Sequence, residues 1–297
     1  MRRSIFRSAV RLLEAIPLPG YPGFSMYKLL ALYFTGIIRG TLTARAGSIS
    51  FSFFMALFPF LLFILNLIPF IPIENFDTVL LQFIELLLPT ETQGFFSDIF
   101  LDIQQKPRGG LLSSVFVLSI FLIANGVSAI FSSFEESYHI ELSRSLVRQY
   151  IYAMGVGVLL ALSLLITVSV QVFFELYILG NLEGIIQNTI NWIRVGQLLS
   201  FIVLTYLSVA QLYYFGTIEG RKARFFSPGA TMTTILVFLT TYLFGLYIDN
   251  FSTYNQLYGS IGALLIFLLY IWINSNILLL GFELNATLSK LKRGRKK

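Results

Sequence analysis

The sequence contains no cysteine and a single histidine, His139. Without cysteine the chain has neither a disulfide framework nor a thiolate metal site. A single histidine also excludes a metal centre or catalytic site built from several histidines, so only carboxylate-based sites stay open on these grounds. We therefore expect no metal, no cofactor and no catalytic residues, and we interpret His139 as a loop histidine.

Charged residues are scarce as well. They make up 12% of the 297 residues, whereas hydrophobic residues make up 56%. Ordinary soluble domains carry about 25% charged residues. So few polar groups do not cover this much apolar surface in water, and the composition predicts an all-α, polytopic membrane protein.

Six apolar stretches are long enough to cross a bilayer as helices. The predicted fold is a membrane helix bundle of six transmembrane helices within residues 47–286. Basic N-terminal interfacial helices precede the bundle in residues 1–46, a basic cytoplasmic tail follows in 287–297, and amphipathic helices lie in the first outer loop, 72–110. The predicted spans are 47–71, 111–133, 149–174, 196–216, 228–248 and 258–284.

Lysine and arginine are unevenly distributed between the two sides of this bundle. With both termini in the cytoplasm, 18 of the 21 lie on the cytoplasmic side. Positive residues concentrate in the cytoplasmic loops of membrane proteins, so this bias predicts cytoplasmic N- and C-termini. It also accounts for the net charge of +6 without a nucleic-acid partner. We expect the basic N- and C-terminal segments to contact membrane lipids, anionic lipid in particular.

Polar side chains recur on one face of several predicted spans. Such groups are costly in hydrocarbon unless they are paired or hydrated, so their alignment is informative. Two interpretations stay open: hydrogen bonds that hold the bundle together, or a cavity that forms a substrate path. The candidates for such a path are the amides of Asn66, Asn125, Gln197, Gln211 and Asn276.

One carboxylate stands near the cytoplasmic end of the last span. Glu283 lies level with Arg45, which comes just before the first span. An ion pair between them would close the inner side of the bundle. The alternative is that both charges face water at the membrane interface, where long side chains reach the solvent at low cost.

Two stretches of the chain resemble a known family. Residues 46–59 read AGSISFSFFMALFP, and the last span is preceded by YGS at 258–260 and closed by GFELNA at 281–286. With the six-span layout and the long first outer loop, these stretches resemble the YihY/BrkB family of bacterial inner-membrane proteins over most of residues 39–288. The resemblance implies a bacterial inner-membrane location but no settled activity. Family members have been labelled virulence or serum-resistance factors, envelope lipid export has been suggested for relatives, and the family has carried the name ribonuclease BN.

The function we predict is transport or lipid translocation in the cell envelope, not enzymatic catalysis. The alternative is a non-transporting scaffold or virulence factor that binds a partner or anionic lipid through its basic ends. An enzyme acting on a lipid head group through the acidic outer loop comes third. A ribonuclease needs metal-binding or acid–base groups in a hydrated site that admits RNA, and the short cytoplasmic loops contain no such cluster.

Overall fold

The computed structural model describes residues 14–17, 25–67, 112–140, 142–173, 189–222, 224–250 and 260–294, with a few isolated positions between 78 and 97. Over these residues the chain forms α-helices and no β-strand, so the predicted all-α class is confirmed. The helices are α1 (Met26–Arg39), α2 (Leu42–Leu67), α3 (Leu112–Glu135), α4 (Leu146–Phe173), α5 (Thr189–Gly216), α6 (Pro228–Asn250) and α7 (Ser260–Gly294).

Five of the described helices are long and apolar enough to cross a membrane. The apolar stretches are Val117–Glu135, Leu146–Phe173, Val195–Gly216, Pro228–Tyr247 and Leu264–Arg293, in α3 to α7 respectively. The described apolar stretch of α2, Leu42–Leu57, is shorter. The first predicted span, 47–71, therefore stays a prediction, and so does the total of six spans. The helices predicted in residues 1–13 and most of the first outer loop lie outside the described residues.

The helices α2 to α7 pack as a closed ring. Each contacts the next helix in the chain, and α7 returns to pack against α2. Sequential neighbours of this kind are typical of membrane bundles, because consecutive elements are usually adjacent in space. The ring surrounds a central space to which all six helices contribute side chains.

Glycines permit the closest contacts in this ring. A Cβ on Gly126 of α3 would stand 2.6 Å from the Cβ of Ala56 in α2. A Cβ on Gly281 of α7 would stand 2.7 Å from the carbonyl oxygen of Gly229 in α6 and would overlap the hydroxyl of Thr233. Small residues at such points let membrane helices approach until their backbones touch.

Helix α1 lies against the terminal half of α7. Its Leu29 packs on Leu288 and Leu291, and the Tyr33 hydroxyl donates to the carbonyl oxygen of Leu280 at 3.2 Å. The predicted basic tail, 287–297, begins inside α7, which continues to Gly294. The reason is that two leucines extend the apolar stripe of α7 beyond the predicted span and bury it against α1.

The junction between α1 and α2 is a tight turn. Gly40 caps α1, and Thr41 has a φ of +46°, which is unusual for a β-branched residue. Helix α2 then begins at Leu42, five residues before the span start predicted at 47. The prediction began the span after Arg45 because an unpaired charge in a span is costly. In the structure a buried partner offsets that cost.

Candidate functional site

A buried ion pair joins the start of α2 to α7. Arg45 Nη1 lies 2.9 Å from Glu283 Oε1, with the two side chains 2% and 0% exposed. Arg45 also donates from Nε to the carbonyl oxygen of Ser133 at 2.8 Å and from Nη1 to that of Gly40 at 3.0 Å. The two residues that sequence reasoning paired are therefore in direct contact, and charge-assisted hydrogen bonds of this length are the strong ones.

The loop between α3 and α4 adds two polar side chains to this pair. Ser137 Oγ donates to Glu283 Oε2 at 2.8 Å. His139 is 1% exposed, with Nε2 3.1 Å from the carbonyl oxygen of Leu32 and Nδ1 3.5 Å from Lys290 Nζ. An ammonium group only donates, so we assign Nδ1 as the acceptor and Nε2 as the protonated nitrogen of a neutral imidazole.

The environment of His139 favours this neutral form. Burial lowers the pKa of its imidazole below the ordinary value. The Leu32 carbonyl and the Glu283 carboxylate act to raise that pKa, whereas the positive charges of Lys290 and Arg293 lower it further. The net direction is downward because a buried cation loses hydration that these contacts only partly replace. His139 is a loop residue as predicted, but it is buried, which sequence reasoning did not foresee.

Two glycines let α1 approach this cluster. A Cβ on Gly36 would stand 2.9 Å from His139 Nε2 and 3.0 Å from Glu283 Oε2, and one on Gly40 would stand 2.9 Å from Arg45 Nη1. Any larger residue at Gly36 would push α1 away from the polar groups. The backbone of α1 at Gly36 and Gly40 therefore covers the cluster of Arg45, Ser137, His139 and Glu283.

A second ion pair ties the end of α7 to the loop after α5. Arg293 Nη2 lies 2.7 Å from Glu219 Oε2 and donates to the carbonyl oxygen of His139 at 3.3 Å. We call this side of the bundle, formed by residues 39–45, 133–140, 142–152, 217–222 and 283–294, the loop end. In the part of the chain that the structure describes, no group of three histidine, aspartate or glutamate side chains is placed to hold a metal ion.

The central space of the ring contains a cavity of about 430 Å³. Most of its lining is apolar, including Phe53, Ile123, Leu164, Leu204 and Phe267. The lining also includes a small set of hydroxyl and amide side chains, which are Thr205, Ser208, Thr233, Tyr270, Asn274 and Ser275. The cavity therefore combines a large apolar wall with a few hydrogen-bonding groups.

The amides proposed as a substrate path do not meet around this cavity. Gln211 donates to Ser163 Oγ of α4 at 2.9 Å, and Asn276 donates to the carbonyl oxygen of Trp272 in its own helix at 2.7 Å. Asn125 is exposed and Gln197 is half-buried, yet neither lines the cavity. The side chain of the fifth candidate, Asn66, lies outside the described residues.

The polar groups that do line the cavity were partly visible in the sequence. Ser208 lies on the fourth predicted span, three residues before the candidate Gln211. On α7 the inward stripe is Phe267, Ile271, Asn274 and Leu278, which has helical spacing. Asn276, two residues further along, points about 200° away from Asn274 and so leaves this stripe. Periodicity alone did not reveal which stripe faces the interior of the ring.

Comparison with known protein families identifies a match that contains the two stretches 46–59 and 258–286. The family described as Virulence factor BrkB matches residues 33–297. The chain belongs to the BrkB family. The resemblance inferred from residues 46–59 and 258–286 is thereby confirmed, and the chain is an integral membrane protein of this family with several apolar helices.

Two relatives illustrate the range of similarity. The "Putative ribonuclease-like protein YfkH" of Bacillus subtilis (strain 168) is 26% identical over 255 residues, which cover 84% of this chain and 91% of YfkH. The "UPF0761 membrane protein XAC0937" of Xanthomonas axonopodis pv. citri (strain 306) is 38% identical over 65 residues, 22% of this chain and 15% of that protein. No solved structure matches the chain.

Proposed function

We propose that this BrkB protein binds a membrane lipid in its central cavity and translocates it across the bacterial inner membrane. The observation that carries the proposal is the cavity of about 430 Å³ lined by side chains from all six helices α2 to α7. Pockets for small molecules typically measure about 300–1,000 Å³, with mostly apolar walls and a few placed polar groups. The cavity has both properties.

The chemistry of the lining favours a lipid over an ion or a sugar. A path for a hydrophilic solute needs carbonyl oxygens, charges or hydroxyls along its length to replace the lost hydration. Here phenylalanine, leucine and isoleucine dominate, and they suit an acyl chain. The hydroxyl of Ser208 and the amide of Asn274 would then face the ester or glycerol part of the molecule.

The ion pair stands next to one end of the cavity. Arg45 is one helical turn from Ile49, and Glu283 is five residues from Leu278, both of which line the cavity. At 1.5 Å per residue these separations are about 6 and 8 Å along the helix axes. We propose that the Arg45–Glu283 contact closes the loop-end side of the cavity and that this end faces the cytoplasm, as the distribution of lysine and arginine supports.

Movement of a labelled lipid in proteoliposomes tests this function. We expect the purified protein to move a fluorescent short-chain phospholipid between leaflets faster than protein-free vesicles. Ser208→Phe fills the cavity and should reduce the rate several-fold. Val203→Phe on the same helix is the matched control, because Val203 is exposed and does not line the cavity.

Two outcomes contradict the proposal. A wild-type rate equal to that of protein-free vesicles would favour the non-transporting scaffold. An unchanged rate in Ser208→Phe would show that lipid does not pass through the cavity. Equal folding of both variants, checked by size-exclusion chromatography and thermal unfolding, makes the rates comparable.

A further inference from the structure

Two cations contact one tyrosine ring at the loop end. The Arg39 guanidinium carbon lies 5.5 Å from the ring centroid of Tyr138, and Lys290 Nζ lies 4.9 Å from it. Arg39 Nη1 also donates to the Tyr138 hydroxyl at 3.3 Å. The three residues come from the end of α1, the loop after α3 and the last turns of α7, so the tertiary fold brings them together.

Two carboxylates on this side of the bundle are paired with other arginines. Glu283 pairs with Arg45 and Glu219 pairs with Arg293. Within the described residues, neither Arg39 nor Lys290 forms an ion pair. Like charges held against one ring repel each other, and an anion placed between or beside them would relieve that repulsion.

A second tyrosine at the loop end provides an internal comparison. Tyr152 also contacts two cations, with Arg144 at 4.6 Å and Arg221 at 5.1 Å from its ring centroid. There, however, Arg144 is 9% exposed and donates to the carbonyl oxygen of Phe215 at 2.7 Å. Its role is to cap the end of α5.

Arg39 and Lys290 instead use few of their N–H donors in hydrogen bonds to described residues. A guanidinium has five N–H donors and an ammonium has three. Among the described residues, Arg39 uses one of these donors on Tyr138, and Lys290 Nζ lies 3.5 Å from its hydrogen-bond acceptor, His139 Nδ1. Arg39 is exposed and Tyr138 is 44% exposed, so an approaching ligand reaches the group from outside.

Exposed apolar side chains precede Arg39 on α1. Phe34 and Ile38 of α1 are 54% and 78% exposed and lie on one helical face, and Arg39 directly follows Ile38. A soluble anion has no apolar part that would contact these side chains, whereas a phospholipid has acyl chains directly next to its phosphate. Tyrosine is itself enriched where membrane meets water.

We propose that Arg39, Tyr138 and Lys290 bind the phosphate of an anionic phospholipid, with Phe34 and Ile38 against its acyl chains. Helix C-termini favour basic residues, which accounts for the presence of both cations but not for their meeting on one ring. The proposal rests on the membrane setting of the proposed function and not on lipid movement. A protein that binds the lipid here without transporting it would contradict only the proposed function.

Thermal unfolding of the full-length protein in detergent tests the site. The probes are dioctanoyl phosphatidylglycerol, dioctanoyl phosphatidylcholine and inorganic phosphate. We expect phosphatidylglycerol to raise the unfolding temperature in a saturable, salt-sensitive manner. Each cation near an anionic lipid contributes about a fivefold gain in affinity, so Arg39→Gln with Lys290→Gln should weaken binding roughly 30-fold.

The matched control is Arg148→Gln with Lys292→Gln. It removes the same charge from two exposed residues of the same side that contact no described aromatic ring. This control should bind phosphatidylglycerol like the wild type, and Arg39→Lys with Lys290→Arg should restore most of the affinity if the fold is intact. The proposal is overturned if the control loses as much affinity as the test variant, if phosphatidylcholine binds equally well, or if inorganic phosphate alone produces the whole shift.

Discussion

Arg45 and Glu283 are separated by 238 residues in the chain and by 2.9 Å in the fold. Neither charge is tolerable in this buried position without the other, because removing one partner leaves an uncompensated ion away from water. Around them Ser137 and His139 provide hydrogen bonds, and Gly36 and Gly40 provide room. At the scale of single residues, the loop end is thus an interlocked polar cluster inside an apolar protein.

The ion pair predicts strong coupling between its two positions. Arg45→Met and Glu283→Leu should each destabilise the protein by about 3–5 kcal/mol, whereas the double variant should lose less than the sum of the two. Equilibrium unfolding in mixed detergent–SDS micelles measures these free energies. Arg148→Met, at an exposed arginine, should change stability by no more than about 0.5 kcal/mol. Strict additivity of the two buried substitutions would contradict the pairing.

The buried imidazole of His139 predicts acid sensitivity. Because burial lowers its pKa in the folded state, the unfolded state binds the proton more tightly. Its contribution to stability is therefore fully present above about pH 6.5, the ordinary pKa of histidine, and is lost as the pH falls below that value. The unfolding temperature should drop between pH 7.5 and pH 5.5.

His139→Gln should remove most of this pH dependence while keeping a donor for Leu32 and an acceptor for Lys290. The measurement is the unfolding temperature of both proteins at the two pH values. A drop of equal size in wild type and variant would assign the acid sensitivity to other groups.

At the scale of helices, the contact between α6 and α7 depends on two glycines and an amide. Gly229 and Gly281 allow the backbones to touch, and Asn285 Oδ1 accepts from the Gly229 N–H at 2.8 Å. The first N–H groups of a helix have no acceptor within the helix, and this hydrogen bond satisfies the one on Gly229. The first residue of α6, Pro228, has no N–H group that needs an acceptor. The GFELNA motif therefore carries helix packing, an ion pair and a helix cap within six residues.

Helix packing predicts opposite effects for two glycine substitutions. Gly281→Ala places a methyl group against Thr233 and the Gly229 backbone, and we expect a loss of about 1–3 kcal/mol. Gly245→Ala in α6 meets no atom within 4 Å, so helix propensity should make it neutral or slightly stabilising. Unfolding free energies of the two variants measure the difference, and equal effects would contradict the close α6–α7 contact.

At the scale of the whole molecule, the six helices α2 to α7 form a ring around one cavity. Each helix has exposed apolar side chains on one face and side chains toward the shared cavity on another. The polar side chains are divided between the cavity, contacts between helices, and the loop end. None of the four described candidates for the substrate path lines the cavity. The lining instead includes Ser208 and Asn274, which lie close in sequence to the candidates Gln211 and Asn276.

The absence of cysteine makes the predicted orientation directly measurable. A single engineered cysteine is then the sole thiol in the chain. With both termini in the cytoplasm, Ser289→Cys near the end of α7 should be protected from a membrane-impermeant maleimide in spheroplasts and react after permeabilisation. Residues 249–257 lie between the last two predicted spans, on the outer side in this orientation, so Ser252→Cys should react in both conditions. The reverse labelling pattern would overturn the orientation.

The sequence by itself determined the class of the protein, five of the helical spans, the BrkB motifs and the charge asymmetry. These features depend on local composition and on the period of one helix, which are present in the chain before it folds. Sequence reasoning also brought Arg45 and Glu283 to one level, because both stand near the same end of a span. The same reasoning ended the last span at 284 and treated residues 287–297 as a tail, because this segment is rich in charged residues. Its leucines, Leu288 and Leu291, are nevertheless buried against α1.

Only the tertiary structure decided which polar stripes face inward and what surrounds the buried charges. Every helix has several possible inward faces, and the choice depends on the neighbours that the ring brings together. The burial of His139 has the same origin, since a lone loop histidine has no local pattern and its partners come from α1 and α7. The cavity, the cluster and the cations on Tyr138 arise from contacts between distant segments, whose energies are absent from any single stretch of sequence.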